Sequence, residues 1–154
     1  LYTQGFNVSL QFVGNVSRAK ASVQQQLQII ENYGLIRAEK SDFNEATLIV
    51  DAIFGVGLNN TLPEGLQKMI KAANHNEKTV IAVDIPTGID ATTGEVRGAA
   101  LKAHTTVTFG YNKVGLTQNV GGYLSGNVIV KDIGLRLPED FTFTTVTPDN
   151  IATT

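Results

Sequence analysis

Two aspartates close two apolar runs. Leu48–Gly57 reads LIVDAIFGVG and Val80–Asp90 reads VIAVDIPTGID, so each Val- and Ile-rich run ends in one acid, Asp51 or Asp84, and then in a glycine-bearing loop. A carboxylate so placed can ligate a hard cation, orient a sugar hydroxyl or serve as acid or base. It can equally cap a turn at a strand exit. A single such acid favours the turn reading, whereas two on successive units, each followed by glycines, favour chemistry. A buried parallel strand reads as a continuous apolar run. In open α/β sheets ligands bind at the carboxyl ends of the strands, so both acids are expected in one crevice.

The loops carry secondary signals. Gly55-Val56-Gly57-Leu58-Asn59-Asn60-Thr61 could bring backbone N–H groups close to a phosphate. It is not a complete GxGxxG, because Asn60 stands at the third glycine position, and no GK[ST] follows. After Asp84, Pro86 stiffens the exit, Thr87 offers a hydroxyl or carbonyl oxygen to a cation, and Gly88 permits an unusual φ. Asp90 reads as a turn residue. Lys113 reads as a solvated lysine, with an anionic ligand as its functional alternative. His75 lies in a polar helix end, and His104, at a strand start, reads as structural. Neither a Ser-His-Asp set nor a metal-binding His pair can be built from these two histidines.

The elements that must position these groups follow from periodicity. Strands are expected at Phe6–Val13, Leu35–Arg37, Leu48–Ala52, Thr79–Asp84, Thr105–Phe109 and Asn127–Ile133. Apolar residues Ala19, Val23, Leu27, Ile30 and Tyr33 predict a helix that stops at Gly34. Pro63 suits a first helical turn, with Leu66, Met69, Ile70 and Ala73 on one face. Ala99–Ala103 is a short helix candidate, Ser41–Ala46 a helical turn or loop, and Lys113–Gly126 a glycine-rich loop. Leu1–Gly5 looks like the last turn of a helix stopped by Gly5, which places the start of the chain inside a domain. Strands alternating with helices imply βαβ units. The expected fold is a three-layer Rossmann-like α/β domain spanning 1–154, with a mostly parallel sheet and helices on both faces. Residues 136–154 form a tail or connector with an edge-strand candidate at Phe141–Thr145.

Composition narrows the classes. The 154 residues carry a net charge of −2 with scattered Lys and Arg, so no basic stripe for nucleic acid or anionic lipid appears. There is no cysteine, which excludes disulfides and thiolate chemistry and fits a reducing, cytoplasmic setting. No apolar stretch reaches the length of a membrane span. Three glycosylation sequons, at Asn7, Asn15 and Asn59, lack a secretion signal and read as chance.

Taken jointly, VDAIFGVGL (Val50–Leu58), AVDIPTGID (Ala82–Asp90), TVTFGYNKVGL (Thr106–Leu116) and GNVIVKDIGL (Gly126–Leu135) are more specific than any one piece. The pattern resembles the YjeF N-terminal domain family, the NAD(P)H-hydrate epimerases, whose motifs run VDA(I/L)FGTGL, DIPSG(L/I)D, TFG..K.G and V.V.DIG. The resemblance implies an enzyme that interconverts the R and S forms of NADHX or NADPHX, nicotinamide cofactors hydrated at C6, so that a partner dehydratase can restore the cofactor. It implies Asp51 and Thr87 as potassium ligands, Thr87 standing where the family usually has serine. Gly55, Val56, Gly57, Leu58, Asn59, Asn60 and Thr61 would hold the substrate. Asp84 would contact it and carry the acid–base step, donating a proton at the hydrated carbon and taking it back. A homodimer is implied as well.

Two departures stand out. Ala103-His104 replaces the family's usual Ala-Asp, and the family's first strand with its NNGGDG-like loop is expected upstream of Leu1. Alternatives are a non-catalytic scaffold module of the same fold, as in mRNA-decapping scaffolds, and the epimerase half of a bifunctional epimerase/dehydratase.

Overall fold

The computed structural model describes residues 1–40 and 42–136. The tail beyond Arg136, with the candidate strand at Phe141–Thr145, lies outside the described residues. The chain forms two compact units, Leu1–Asp42 and Phe43–Thr154.

The first unit begins with a 3₁₀ turn, Tyr2–Gln4, closed by Gly5 at φ 82°. The helical turn and its glycine stop are thus as the sequence implies. Strand β1 is Leu10–Gln11 and pairs in parallel with β2, Arg37–Ala38. The expected strand over Phe6–Val13 is cut to two residues, because a ladder extends only as far as its partner does. Between them runs helix α1, Ala21–Asn32, with Leu27 buried. Gly34 ends it at φ 85°, and its N–H returns to the Glu31 carbonyl. This is the left-handed stop that a Cβ disfavours.

The second unit is a four-stranded parallel sheet in the order β3-β4-β5-β6: Leu48–Asp51, Thr79–Val83, Thr105–Phe109 and Asn127–Lys131. Parallel neighbours need crossover connections. Helix α2, Glu64–His75, provides the first, entered through Pro63 and burying Leu66, Ile70 and Ala73 at helical spacing. The third contains a 3₁₀ turn, Val114–Leu116, and helix α3, Asn119–Leu124. The mostly parallel α/β architecture read from the sequence is therefore what forms.

Two local expectations are overturned. Ala99–Ala103 forms no helix and no strand. Its amides bond across the fold, Leu101 N–H to the Thr87 carbonyl and Ala103 N–H to the Leu124 carbonyl. Those partners, together with burial of Ala99, Leu101 and Ala103, outweigh alanine's helix propensity. The stretch Lys113–Gly126 is not all loop, since α3 lies within it. Gly121 packs so closely that a Cβ there would sit 2.2 Å from the Gly115 carbonyl oxygen, so its glycines serve contact rather than flexibility.

Register sorts the side chains. Ile49 pairs with Val80 and Asp51 with Ala82; Ala82 pairs with Thr106, and Thr106 with Val128. Partners in a parallel ladder share a face. On it, Val80, Ala82 and Ala103 pack with Ile49. A second cluster of Ile85, Ile89, Ala100 and Leu116 takes in Leu124 and Val128.

Candidate functional site

The site lies wholly in the second unit, at the carboxyl ends of β3, β4 and β5. Asp51 is the last residue of β3 and stands opposite Ala82. Asp84 follows the last residue of β4, two positions farther along than Ala82. Each acid then reaches the other's loop.

Asp51 turns into the loop after β4. Its Oδ2 accepts the Thr87 N–H at 2.7 Å and its Oδ1 the Thr87 hydroxyl at 2.6 Å. The Ile53 N–H at 3.4 Å adds a weak third donor. Asp51 is only 2% exposed and Thr87 fully buried. Burial pushes the Asp51 carboxyl up from its ordinary value; the Thr87 hydroxyl, the Thr87 N–H and the Ile53 N–H pull the other way without cancelling it. This is a buried carboxylate held by neutral donors alone, which is costly for the charged form. A cation at this position would find its oxygen donors in Asp51 and Thr87.

Asp84 borders the loop after β3. A Cβ built on Gly55 would lie 2.9 Å from Asp84 Oδ2, so glycine is what lets the two loops meet. Asp84 itself has φ 71°, an unusual conformation for a side-chain-bearing residue. Its N–H bonds the Val107 carbonyl at 2.8 Å. The carboxylate reaches across to β5, where Oδ1 accepts from the Thr108 hydroxyl at 3.1 Å and weakly from the Phe109 N–H at 3.4 Å. Lys113 Nζ completes the set at 2.6 Å from Oδ1. Burial raises the Asp84 carboxyl, but the Lys113 hydrogen bond, the Phe109 N–H, the Lys113 charge and the Thr108 hydroxyl outweigh it and hold it below the ordinary range. Asp84 is therefore ionised at neutral pH, and its side chain is 20% exposed. The buried acid and the accessible acid thus have distinct environments, which push their carboxyls in opposite directions.

The loop Gly55–Thr61 is pinned by Leu58, 7% exposed, and by Leu62, whose N–H bonds the Arg97 carbonyl. Val56, Gly57, Asn59, Asn60 and Thr61 remain exposed. A Cβ on Gly57 would meet nothing within 4 Å, so no neighbour within the chain demands this glycine. The loop after β4 is not a surface loop: Ile85, Pro86, Thr87 and Ile89 are buried. Gly88 sits at φ 100°, and a Cβ there would lie 1.9 Å from the Ala99 carbonyl oxygen. Asp90 is the expected turn residue, accepting the Thr92 and Thr93 N–H groups at 2.8 and 2.9 Å and pairing with Arg97. His104 is structural as expected, its Nδ1 accepting the Val80 N–H at 3.1 Å, and His75 is exposed in the last turn of α2.

Lys113, expected to be solvated, instead bonds Asp84, and Thr108, not among the expected site residues, joins the same carboxylate. The usable signal for Thr108 was a threonine alternating with Thr106 on a strand's inward face. A cavity of about 450 Å³ in the first unit, lined by Phe12, Leu35, Ile36, Arg37 and Glu39 among others, includes none of these acids.

The family model of the YjeF-related protein N-terminus matches residues 1–115. The NAD(P)H-hydrate epimerase of Leuconostoc citreum (strain KM20) is 99% identical over 154 residues, all of this chain and 69% of that protein. That of Leuconostoc kimchii is 83% identical over 150 residues, 97% of this chain and 67% of that protein. That of Limosilactobacillus reuteri (strain DSM 20016) is 44% identical over 138 residues, 87% of this chain and 64% of that protein. The chain thus spans about two-thirds of the length of these relatives.

Proposed function

The chain belongs to the family of the YjeF-related protein N-terminus, and from that premise we propose that it acts as an NAD(P)H-hydrate epimerase, an isomerase that inverts C6 of NADHX or NADPHX. The observation that carries this reading is the crosswise meeting of the two loops. Asp84 faces Gly55 at the root of the exposed loop, and Asp51 grips Thr87 beside Asp84. A substrate held along Gly55–Thr61 through its diphosphate would present its hydrated ring to Asp84.

The roles divide by exposure. Asp84 is the accessible carboxylate and moves the proton at the hydrated carbon. Asp51 and Thr87 are oxygen donors suited to potassium: a buried carboxylate without a counter-charge, beside a hydroxyl, fits a singly charged cation. Bound there, potassium would offset negative charge where carboxylate and diphosphate converge. Gly55, Val56, Gly57, Leu58, Asn59, Asn60 and Thr61 form the substrate loop. The same reading includes a homodimer, a cytoplasmic setting and a dehydratase as the enzyme that consumes the S hydrate. Among the described residues no helix is long and apolar enough to cross a membrane.

The test is direct. Purified R hydrate of NADH or NADPH should be converted to an R/S mixture by the protein, and Asp84→Asn should abolish conversion while leaving the thermal midpoint within a few degrees. A folded protein that binds the hydrate without interconverting its forms would instead point to a binding module.

A further inference from the structure

We propose that Lys113 is a positioning residue that saturates Asp84 Oδ1 and leaves Oδ2 as the reactive oxygen, so that Asp84 begins the reaction by accepting a proton. The inference rests on the epimerase reading for its chemistry, and on geometry for the state of the acid.

An ammonium has three protons to give. Those of Lys113 meet three acceptors: Asp84 Oδ1 at 2.6 Å, Thr108 Oγ1 at 2.7 Å and the Phe109 carbonyl at 2.8 Å. None is left for a ligand, so in this arrangement Lys113 is neither a phosphate clamp nor a proton donor to substrate. The Thr108 hydroxyl, receiving from Lys113, donates its own hydrogen bond to Oδ1. With the Phe109 N–H, three donors converge on one oxygen. Oδ2 has no partner among the described residues and faces Gly55. The local backbone serves this arrangement. Gly110, at φ 71°, turns the chain after β5, and Lys113 returns onto Thr108 and the Phe109 carbonyl; Asp84 also has φ 71°. Non-glycine residues in this region cost about 1–3 kcal/mol and persist where the surroundings over-determine them.

A carboxylate so held starts ionised. On a hydrated nicotinamide ring it takes the proton of the C6 hydroxyl. The C6–O bond becomes a carbonyl as the C6–N1 bond breaks, and that electron pair passes to N1 and its conjugated carboxamide. Rotation about C5–C6 presents the other face of the carbonyl. N1 re-adds to C6, and the oxygen takes the proton back from Oδ2. No electron is gained or lost overall, and the oxygen on C6 is the original one.

Three measurements on the protein test this. In the first, the Asp84 carboxyl carbon is titrated by NMR in the unsubstituted protein and in Lys113→Met, with no substrate present. The midpoint should rise in the variant, and an unmoved midpoint overturns the positioning role. In the second, the acidic limb of kcat against pH should move to higher pH in Lys113→Met, with kcat down by about 10²–10³-fold and KM changed little; Lys113→Arg should recover part of kcat. A purely structural lysine would lower thermal stability and leave the limb in place. In the third, R hydrate is epimerised by the unsubstituted protein in ¹⁸O-water. Product retaining its oxygen supports proton acceptance first, and full exchange at C6 overturns it. Failure of the unsubstituted protein to epimerise would count against the functional reading, and the titration would still decide the role of Lys113.

Discussion

Lys113 Nζ lies 2.6 Å from Asp84 Oδ1, an ion pair that joins the turn after β5 to the acid after β4. Thr108 is the third member, fully buried beneath the pair. Replacing it by the isosteric valine removes one donor to Asp84 and one acceptor from Lys113, leaving a lysine N–H without its partner. Thr108→Val should cost about 1–3 kcal/mol, read by urea unfolding at neutral pH. The folded Asp84 carboxyl lies below its ordinary value, so the pair's contribution is present above the ordinary carboxylate range and is lost as pH falls through the folded value. The deficit of Thr108→Val should therefore shrink in acid. A deficit that stays constant as the Asp84 carboxyl is protonated would show that the hydroxyl does not act through Asp84.

Asp51 behaves in the opposite sense. Its folded pKa is raised by burial, so the favourable contribution belongs to the protonated form: present below the unfolded value, lost as pH rises through the folded one. Wherever Asp51 is ionised, the unliganded protein bears the cost of a buried charge, which a bound cation would offset. Potassium should therefore raise the thermal midpoint more at pH 7 than at pH 4, with sodium less effective. Asp51→Asn should abolish the response without unfolding the protein, because the amide oxygen can accept the Thr87 N–H while the amide nitrogen donates to the Thr87 hydroxyl. Equal potassium stabilisation of both proteins would remove Asp51 from the cation site.

Much of this was legible in the sequence because it rests on short-range rules. Apolar runs closed by Asp51 and Asp84 became strand ends, Pro63 opened α2, and Gly34 closed α1. What was not legible depended on contacts between distant segments. Ala99–Ala103 has helical composition but forms no helix, because the amides of Leu101 and Ala103 find their partners in Thr87 and Leu124. Lys113 looks solvated until the Gly110 turn folds it onto Asp84, 29 residues earlier. Gly55 read as a phosphate-loop glycine, whereas the structure adds a second reason for it, the approach of Asp84 Oδ2.

Gly88 should be the least replaceable glycine near the site. Its φ of 100° and the overlap of a would-be Cβ with the Ala99 carbonyl oxygen, 1.9 Å away, both oppose any side chain. Backbone strain and overpacking each cost about 1–3 kcal/mol, and here the clashing atom is backbone that cannot rotate aside. Gly88→Ala should lower stability by about 2–5 kcal/mol, measured by urea unfolding. A loss under about 1 kcal/mol would mean that the Ala99 segment shifts easily.

Asp90 and Arg97 supply an acid-stability signature away from the reacting groups. The Arg97 guanidinium, with the Thr93 and Thr92 N–H groups, holds the Asp90 carboxyl down at about 2. A depressed folded value stabilises the protein above the ordinary carboxylate pKa, and the effect disappears as pH falls toward about 2. Arg97→Met should therefore be less stable than the unsubstituted protein at pH 6 and should approach it near pH 2, in thermal melts across that range. Parallel curves would show that the arginine acts through packing alone.

Gly55 and Gly57 separate contact within the chain from contact with a ligand. A methyl on Gly55 would press on Asp84 Oδ2 from 2.9 Å. The carboxylate is the far end of a side chain and can yield, so folding should survive, but the oxygen assigned to the proton transfer is displaced. Gly55→Ala should therefore lower kcat for hydrate epimerisation with a smaller change in KM. A methyl on Gly57 meets nothing within 4 Å and the residue is exposed, so stability should change by no more than about 0.5 kcal/mol. If the loop draws substrate diphosphate against its backbone, that methyl occupies the space of approach, and KM should rise about tenfold while kcat holds. Steady-state kinetics on both variants, beside their melting curves, give four numbers whose pattern is the test. A Gly57→Ala protein with unchanged KM would take the loop out of substrate binding, and a Gly55→Ala protein altered only in KM would move the proton transfer away from Asp84 Oδ2.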